Sequence, residues 1–177
     1  MENIVVIYKS KYGATKQYAE WIAKEVGCDL LDGSKLDLNT ILPYHTIIYG
    51  GGLYASGING ISLITKNFKK LNEKNLIVFT VGLADPNNKE QFQPILHKNF
   101  KDDMLEKISV FHFRGSIDYK KLGIIHQSMM SMLKTFTRRK GENLTDEDRQ
   151  MLETYGKKVD FTDILSIKPV ITFIKSL

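Results

Sequence analysis

Cysteine occurs once in the 177 residues, at Cys28, which excludes an internal disulfide and any metal site built from several thiolates of one chain. Placed at the start of a predicted strand, Cys28 reads as a small buried residue rather than a nucleophile. No apolar run approaches the ~18 residues of a membrane span. Met1, Glu2 and Asn3 lead directly into a strand pattern, which leaves no room for a signal peptide and makes the cytoplasm the expected location. The four histidines, His45, His97, His112 and His126, are dispersed. None stands in H-x-x-x-H or H-E-x-x-H spacing, so no metal ligation is expected and each reads as a satisfied or exposed side chain. There is no G-x-S-x-G elbow for a hydrolase. Neither an RNP-like aromatic pattern nor a helix-turn-helix signal is present, so nucleic acid is not an expected partner. With no internal repeat and no low-complexity linker, residues 1–177 read as one domain.

Hydrophobic residues make up 42% of the chain and charged ones 25%, proportions of a globular protein with enough apolar material for a full core. The net charge of +5 is unevenly placed. Between Arg114 and Lys140 seven basic residues face one acid, Asp118, whereas the rest of the chain holds 18 basic and 19 acidic residues. All of the excess positive charge therefore lies in one segment.

Short apolar runs rich in Val, Ile, Phe and Tyr recur at 4–8, 47–50, 76–81 and 108–113, with a weaker one at 28–31. Their lack of polar alternation predicts strands buried on both faces. Helical periodicity lies between them, over 14–26 with Gly27 as its C-cap, over 58–71 with Ile61, Ile64, Phe68 and Leu71 on one face, and more weakly over 90–100. Alternating strands and helices predict an α/β doubly wound domain with a five-stranded parallel sheet in the order 2-1-3-4-5 and helices on both faces. More than sixty residues follow Phe113, which predicts a helical insertion after strand five, over 114–160.

The first strand runs into Ser10, Lys11, Tyr12, Gly13, Ala14 and Thr15 and then into a helix. Backbone N–H groups at a helix start lack intrahelical partners and sit at the positive end of the macrodipole, so this loop can cradle a phosphate. Neither G-x-x-x-x-G-K-[ST] nor G-x-G-x-x-G is present, which excludes the commonest triphosphate and dinucleotide loops. A polar turn that only caps the helix would share this pattern. The second candidate loop, Gly50, Gly51, Gly52, Leu53, Tyr54, Ala55, Ser56 and Gly57, has glycines that let the backbone lie flat against a planar ring and a tyrosine to stack on it. A flexible loop is the alternative. The third, Val81, Gly82, Leu83, Ala84 and Asp85, offers backbone polar groups to such a ring's edge.

Together the three loops make the chain resemble flavodoxin-domain proteins from residue 1 to about 113. The resemblance implies a flavodoxin-like fold and FMN as cofactor, with Ser10, Lys11, Tyr12, Gly13, Ala14 and Thr15 on its phosphate. It places Gly51, Gly52, Leu53, Tyr54, Ala55, Ser56 and Gly57 on one side of the ring and Val81, Gly82, Leu83, Ala84 and Asp85 on the other. It also implies a peptide that turns over on reduction, for which Ser56-Gly57 or one of the glycine peptides before it is the candidate. The sequence departs from the small acidic electron carriers in its pI of about 9.1 and in Lys9 and Lys11 beside the phosphate loop.

Residues 126–140 form a helical pattern with Met129, Met132, Leu133 and Phe136 on one side and Arg138, Arg139 and Lys140 at its end. Three readings fit it: a core helix with a solvated basic end, an adaptable apolar surface for a quinone or tetrapyrrole, or a peripheral membrane contact. The run 111–119, the Met-containing helix and the Thr-Asp-rich stretch beyond Gly141-Glu142 are similar to the C-terminal half of menaquinone-dependent protoporphyrinogen oxidases. That resemblance implies an FMN oxidoreductase passing hydrogens from a porphyrinogen to a quinone at the inner face of the membrane. The alternatives are an electron carrier between partner proteins and a flavodoxin fold without FMN that serves only in interaction. Locally, Thr145 reads as an N-cap with acidic residues in the first turn, and Pro169 as the opening of a final helix over 170–176.

Overall fold

Strands and helices alternate from the first described residues onward. The computed structural model describes residues 3–177; Met1 and Glu2, which enter the expectation about a signal peptide, lie outside them. In chain order the elements are β1 (Ile4–Lys9), α1 (Ala14–Val26), β2 (Asp29–Asp32), α2 (Leu38–Ile41), β3 (Thr46–Tyr54), β4 (Gly57–Ile58), α3 (Ser62–Thr65), α4 (Phe68–Leu71) and β5 (Asn75–Gly82). There follow α5 (Gln93–Asn99), α6 (Asp102–Leu105), β6 (Ile108–Arg114), β7 (Ser116–Asp118), α7 (Ile124–Arg138), α8 (Asp146–Thr154), β8 (Lys158–Asp160) and α9 (Lys168–Lys175).

The main sheet has the order β2-β1-β3-β5-β6 with every neighbouring pair parallel. Counting those five strands in sequence, this is the expected 2-1-3-4-5 order. Alternate residues serve opposite faces. Val5, Ile7, Ile47, Tyr49 and Val78 join one buried cluster with Ile64, Phe68 and Leu71. Val6, Ile48, Ile77 and Phe79 join another with Tyr18 and Ile22 of α1 and Val170 and Ile174 of α9. Helices therefore cover both faces. Helix α1 stops at Gly27, whose φ of 72° is the left-handed C-cap expected there.

The helix expected over 58–71 is instead a two-residue strand and two separate turns of helix. Ile58 pairs with Leu53 at the end of β3, and Gly60 follows with φ 76°. Between α3 and α4, Asn67 leaves helical geometry and turns its side chain back to donate to the Leu63 carbonyl at 2.8 Å. Apolar spacing was right about which residues face the core, but these two backbone interruptions prevent a continuous helix.

Beyond β6 the insertion is helical and is bracketed by an antiparallel ribbon, in which Ser116, Ile117 and Asp118 pair with Asp160, Val159 and Lys158. Residues 119–157 thus leave and return at one place. Only Thr137 of α7 is buried, which corrects the core-helix reading: most of this helix lies outside the core, and Ile124 and Ile125 are 83% and 75% exposed. At its end the Lys140 ammonium reaches both Asp148 oxygens at 2.8 Å. Partial burial works against charge on Asp148, but the Lys140 and Thr145 hydrogen bonds outweigh it and hold the carboxyl below its usual range. Thr145 and Asp148 form the capping box that starts α8. No helix of the described residues is long and apolar enough to cross a membrane.

Candidate functional site

The carboxyl ends of β1, β3 and β5 bring the three sequence-predicted loops to one edge of the sheet, beside the switch in strand order. In the first loop the Gly13 N–H donates to Ser10 Oγ at 3.1 Å, a local turn that draws the backbone into a concave arc. Gly13 adopts φ 102°, a conformation that side chains rarely allow. The first bond of α1 runs from the Gln17 N–H to the Gly13 carbonyl, so the preceding N–H groups of the first turn have no intrahelical partner. Thr15 is buried beside them. Lys11 and Tyr12 project from the loop toward the insertion, where both line a cavity.

The second region is neither the glycine loop expected to lie against a ring nor the flexible loop that was its alternative. Gly50, Gly51 and Gly52 continue β3 and pair with Phe79, Thr80 and Val81 of β5. The glycines are required by packing: a Cβ on Gly50 would overlap the buried Phe79 ring, and one on Gly51 would come 2.5 Å from the Ile58 side chain. These two glycines make room for protein, not for a flat ring. The chain then reverses at Ala55 and Ser56, with φ of 47° and 64°, and returns as β4, a hairpin of the tight two-residue kind. Neighbours from α5 pin it, Lys98 donating to the Ala55 carbonyl at 2.6 Å and Asn99 to the Ser56 carbonyl at 2.7 Å. The Ser56-Gly57 peptide therefore already has a partner for its carbonyl, which opposes the turning over expected of it.

The third loop is held from the insertion side. Gly82 and Leu83 offer their carbonyls to the Gly115 N–H at 2.6 Å and to Arg114 Nε at 3.1 Å. The Asp85 N–H donates to Glu147 of α8 at 2.9 Å. Arg114 also donates to Gln150 at 2.7 Å and lies over the Phe161 ring at 3.9 Å. Most of the backbone polar groups assigned to a ring edge are thus already engaged. The N–H groups of Leu83 and Ala84 have no protein partner among the described residues.

Above these loops lies a residue that the sequence reading placed among dispersed histidines. His126, at the start of α7, stacks on Tyr54 with ring centres 4.7 Å apart and an interplanar angle of 18°. Its Nδ1 is 2.7 Å from the Tyr12 hydroxyl, and Tyr12 meets Tyr54 edge to face at 6.2 Å. Burial, and then the Lys11 ammonium, push the imidazole below its usual pKa. Burial, and then Tyr12, raise the Tyr54 phenol. Met129 and Met130 continue this roof over a cleft whose walls are Leu53, Tyr54 and Ala55 on one side and Val81, Gly82 and Leu83 on the other.

The space under the roof is about 140 Å³, less than the roughly 300 Å³ at which ligand pockets begin. Beside it, sharing Tyr12, Ser116 and Ile117, is a larger cavity of about 650 Å³ lined also by Lys11, Lys121, Lys158, Asp118 and Asp160. The donor set of the first loop fits a phosphate ester and the apolar walls fit a planar ring, so the residue types suit FMN, while the closed roof leaves less room than such a ring fills. Among the described residues, no group of three or more His, Cys, Asp or Glu is placed to hold a metal ion.

The family model for the flavodoxin domain matches residues 5–143. No curated protein matches the chain. Among solved structures, the flavodoxin, WrbA-like protein of Agrobacterium tumefaciens is 23% identical over 56% of this chain and 73% of its own, with a TM-score of 0.44. The Trp repressor binding protein of Bacillus subtilis is 18% identical over 90% of this chain and 99% of its own, with a TM-score of 0.46. The two-electron reduced flavodoxin of Megasphaera elsdenii is 15% identical over 62% and 84%, with a TM-score of 0.42.

Proposed function

The chain belongs to the flavodoxin domain family, and from that premise we propose that it binds FMN and acts as an oxidoreductase on a small ring-shaped substrate of the quinone or porphyrinogen type. The observation that carries this reading is the roof. A carrier between proteins needs the edge of its ring open to a partner, whereas here His126, Met129 and Met130 cover an apolar cleft. Such a cover suits a small molecule admitted beneath it.

In this reading Ser10, Lys11, Tyr12, Gly13, Ala14 and Thr15 hold the phosphate. Leu53, Tyr54 and Ala55 face one side of the ring, and Val81, Gly82, Leu83, Ala84 and Asp85 the other. Gly51, Gly52, Ser56 and Gly57 support that wall through the hairpin. Bound FMN supplies the hydride and electron-transfer chemistry, and the protein supplies orientation and dryness. Met129, Met130 and Leu122 exclude water from the cleft. In the adjoining cavity Asp118 and Asp160 accept bonds from neighbouring backbone N–H groups, while Lys11, Lys121 and Lys158 form no ion pair among the described residues. Those free ammonium groups support a substrate that carries carboxylates.

Outward from the cleft, α7 presents Ile124, Ile125, Met132, Leu133 and Phe136 to solvent, with Arg138, Arg139 and Lys140 at its end. An apolar strip beside cations supports peripheral contact with an anionic membrane, where an apolar quinone is dissolved. The same strip is what would favour the second reading, a carrier that docks a partner protein there. Reoxidation of the reduced FMN-loaded protein by 2-methyl-1,4-naphthoquinone separates the two. Saturation kinetics with the quinone alone are expected; reoxidation that proceeds only with an added redox protein would favour the carrier.

A further inference from the structure

The Tyr54 face that the FMN reading gives to a flavin ring is covered by another side chain of the same molecule. Tyr54 lies back over Gly52, where a Cβ would come 3.0 Å from its hydroxyl and 3.1 Å from its ring. On this ring His126 stacks, with centres 4.7 Å apart and 18° between the planes. Tyr12 completes the group, edge-on to Tyr54 at 6.2 Å and to His126 at 5.5 Å, with its hydroxyl 2.7 Å from Nδ1. Met129 and Met130 close the space beside them, and the cleft that remains, about 140 Å³, is too small for a flavin ring. While His126 stays on Tyr54, the site is filled from within.

The two halves of α7 are held unequally. Over its second half the Lys134 ammonium sits 4.0 Å from the centre of the Tyr155 ring, Thr137 is buried, and Lys140 just beyond the helix reaches Asp148 at 2.8 Å. Helix α8 is in turn tied to the sheet edge, through the Asp85 N–H to Glu147 and through Arg114 to Gln150. At the start of α7, Ile124 and Ile125 face solvent. There the polar ties to the cleft wall are those of Gly123 and His126, and both end on the one Tyr12 hydroxyl. Loss of that node and of the Tyr54 stack would release the first half of the helix while every tie of the second half persists.

We propose that His126 is a plug and the first half of α7 a gate: the chain closes its own ring site, and FMN competes with His126 for the face of Tyr54. The proposal rests on the FMN reading and adds a regulation of the same site. Only molecules in which His126 has left Tyr54 are competent to bind, so the apparent Kd is the intrinsic value divided by the open fraction, and removal of the plug lifts that handicap.

Two measurements on the full chain test the proposal. The first needs no FMN. In a Cys28→Ala background, Val81→Cys places a thiol on the far wall of the cleft, and N-(1-pyrenyl)maleimide, too large for the closed space, is used to label it. Addition of His126→Ala should speed labelling about tenfold, the upper worth of one aromatic pair; an unchanged rate would overturn the gate. Leu53→Cys on the opposite wall gives the same reading should Val81→Cys fail to fold. In the second, FMN binding is followed by its fluorescence in the parent and in His126→Ala. The variant should bind about tenfold more tightly, by the same measure. An affinity left unchanged or lowered would overturn the proposal, since His126 would then be indifferent to the ring or part of the wall that holds it. If neither chain binds FMN the cofactor reading is refuted, while the labelling rates still decide whether His126 closes the cleft.

Discussion

The ring of Phe79 is wholly buried and lies where a Gly50 side chain would have to go. Gly50→Ala must push that ring or the β3 backbone aside, an overpacking that costs about 1–3 kcal/mol. Chemical denaturation should show the loss; a variant as stable as the parent would contradict this account of the glycine run. His112 makes a second single-residue prediction. Its Nδ1 lies 2.7 Å from Thr80 Oγ1, its ring stacks on Phe92 at 3.8 Å, and burial pushes its pKa down to about 4. The unfolded imidazole titrates near 6.5, so between about 6.5 and 4 the unfolded chain binds the additional proton. The stability contributed by neutral His112 is thus fully present above that window and is lost as pH falls through it. Denaturation at stepped pH should show a decline that His112→Gln flattens, and an unchanged slope would contradict it. The Ser10 to Thr15 loop and the Thr145 cap were legible because their parts are adjacent in sequence. His126 was not, because nothing near it in the chain hints at Tyr12 or Tyr54.

At the scale of elements, the strands were readable because their apolar runs are continuous, a consequence of helices on both faces. The glycine run was misread for the opposite reason. Glycine within a strand looks like a loop in one dimension, and its cause, the Phe79 and Ile58 side chains, lies on neighbouring strands. The ribbon of β7 and β8 escaped notice because three-residue strands separated by almost forty residues leave no periodic signal. That ribbon makes the insertion separable. Asp118 and Lys158 are paired at its open end, and of the residues of α7 and α8 only Thr137 is buried. Replacing 119–157 by Asn-Gly, which suits a two-residue hairpin, should leave a cooperatively unfolding parallel sheet with an uncovered cleft. Loss of cooperative unfolding, measured by far-ultraviolet dichroism, would mean that the insertion is part of the core instead.

For the whole molecule, the exposed apolar strip of α7 lies within the 114–140 segment that carries the excess positive charge, with Lys134 and Arg138 on the helix and Arg139 and Lys140 just beyond its end. Binding to vesicles containing phosphatidylglycerol should therefore be measurable at low salt and weaken as salt screens it. Equal binding to neutral vesicles, or none to anionic ones, would contradict a charge-assisted membrane contact. The domain match and the sheet order establish the family and the fold; the central claim is that the loops at the sheet's edge hold a flavin. The most direct test is the visible absorbance spectrum of the purified chain after FMN is added and the excess removed by gel filtration. Flavin bands that co-elute with the protein, and fade when Gly13 is replaced by a β-branched residue, are the predicted result. A colourless protein under the same treatment would contradict the claim.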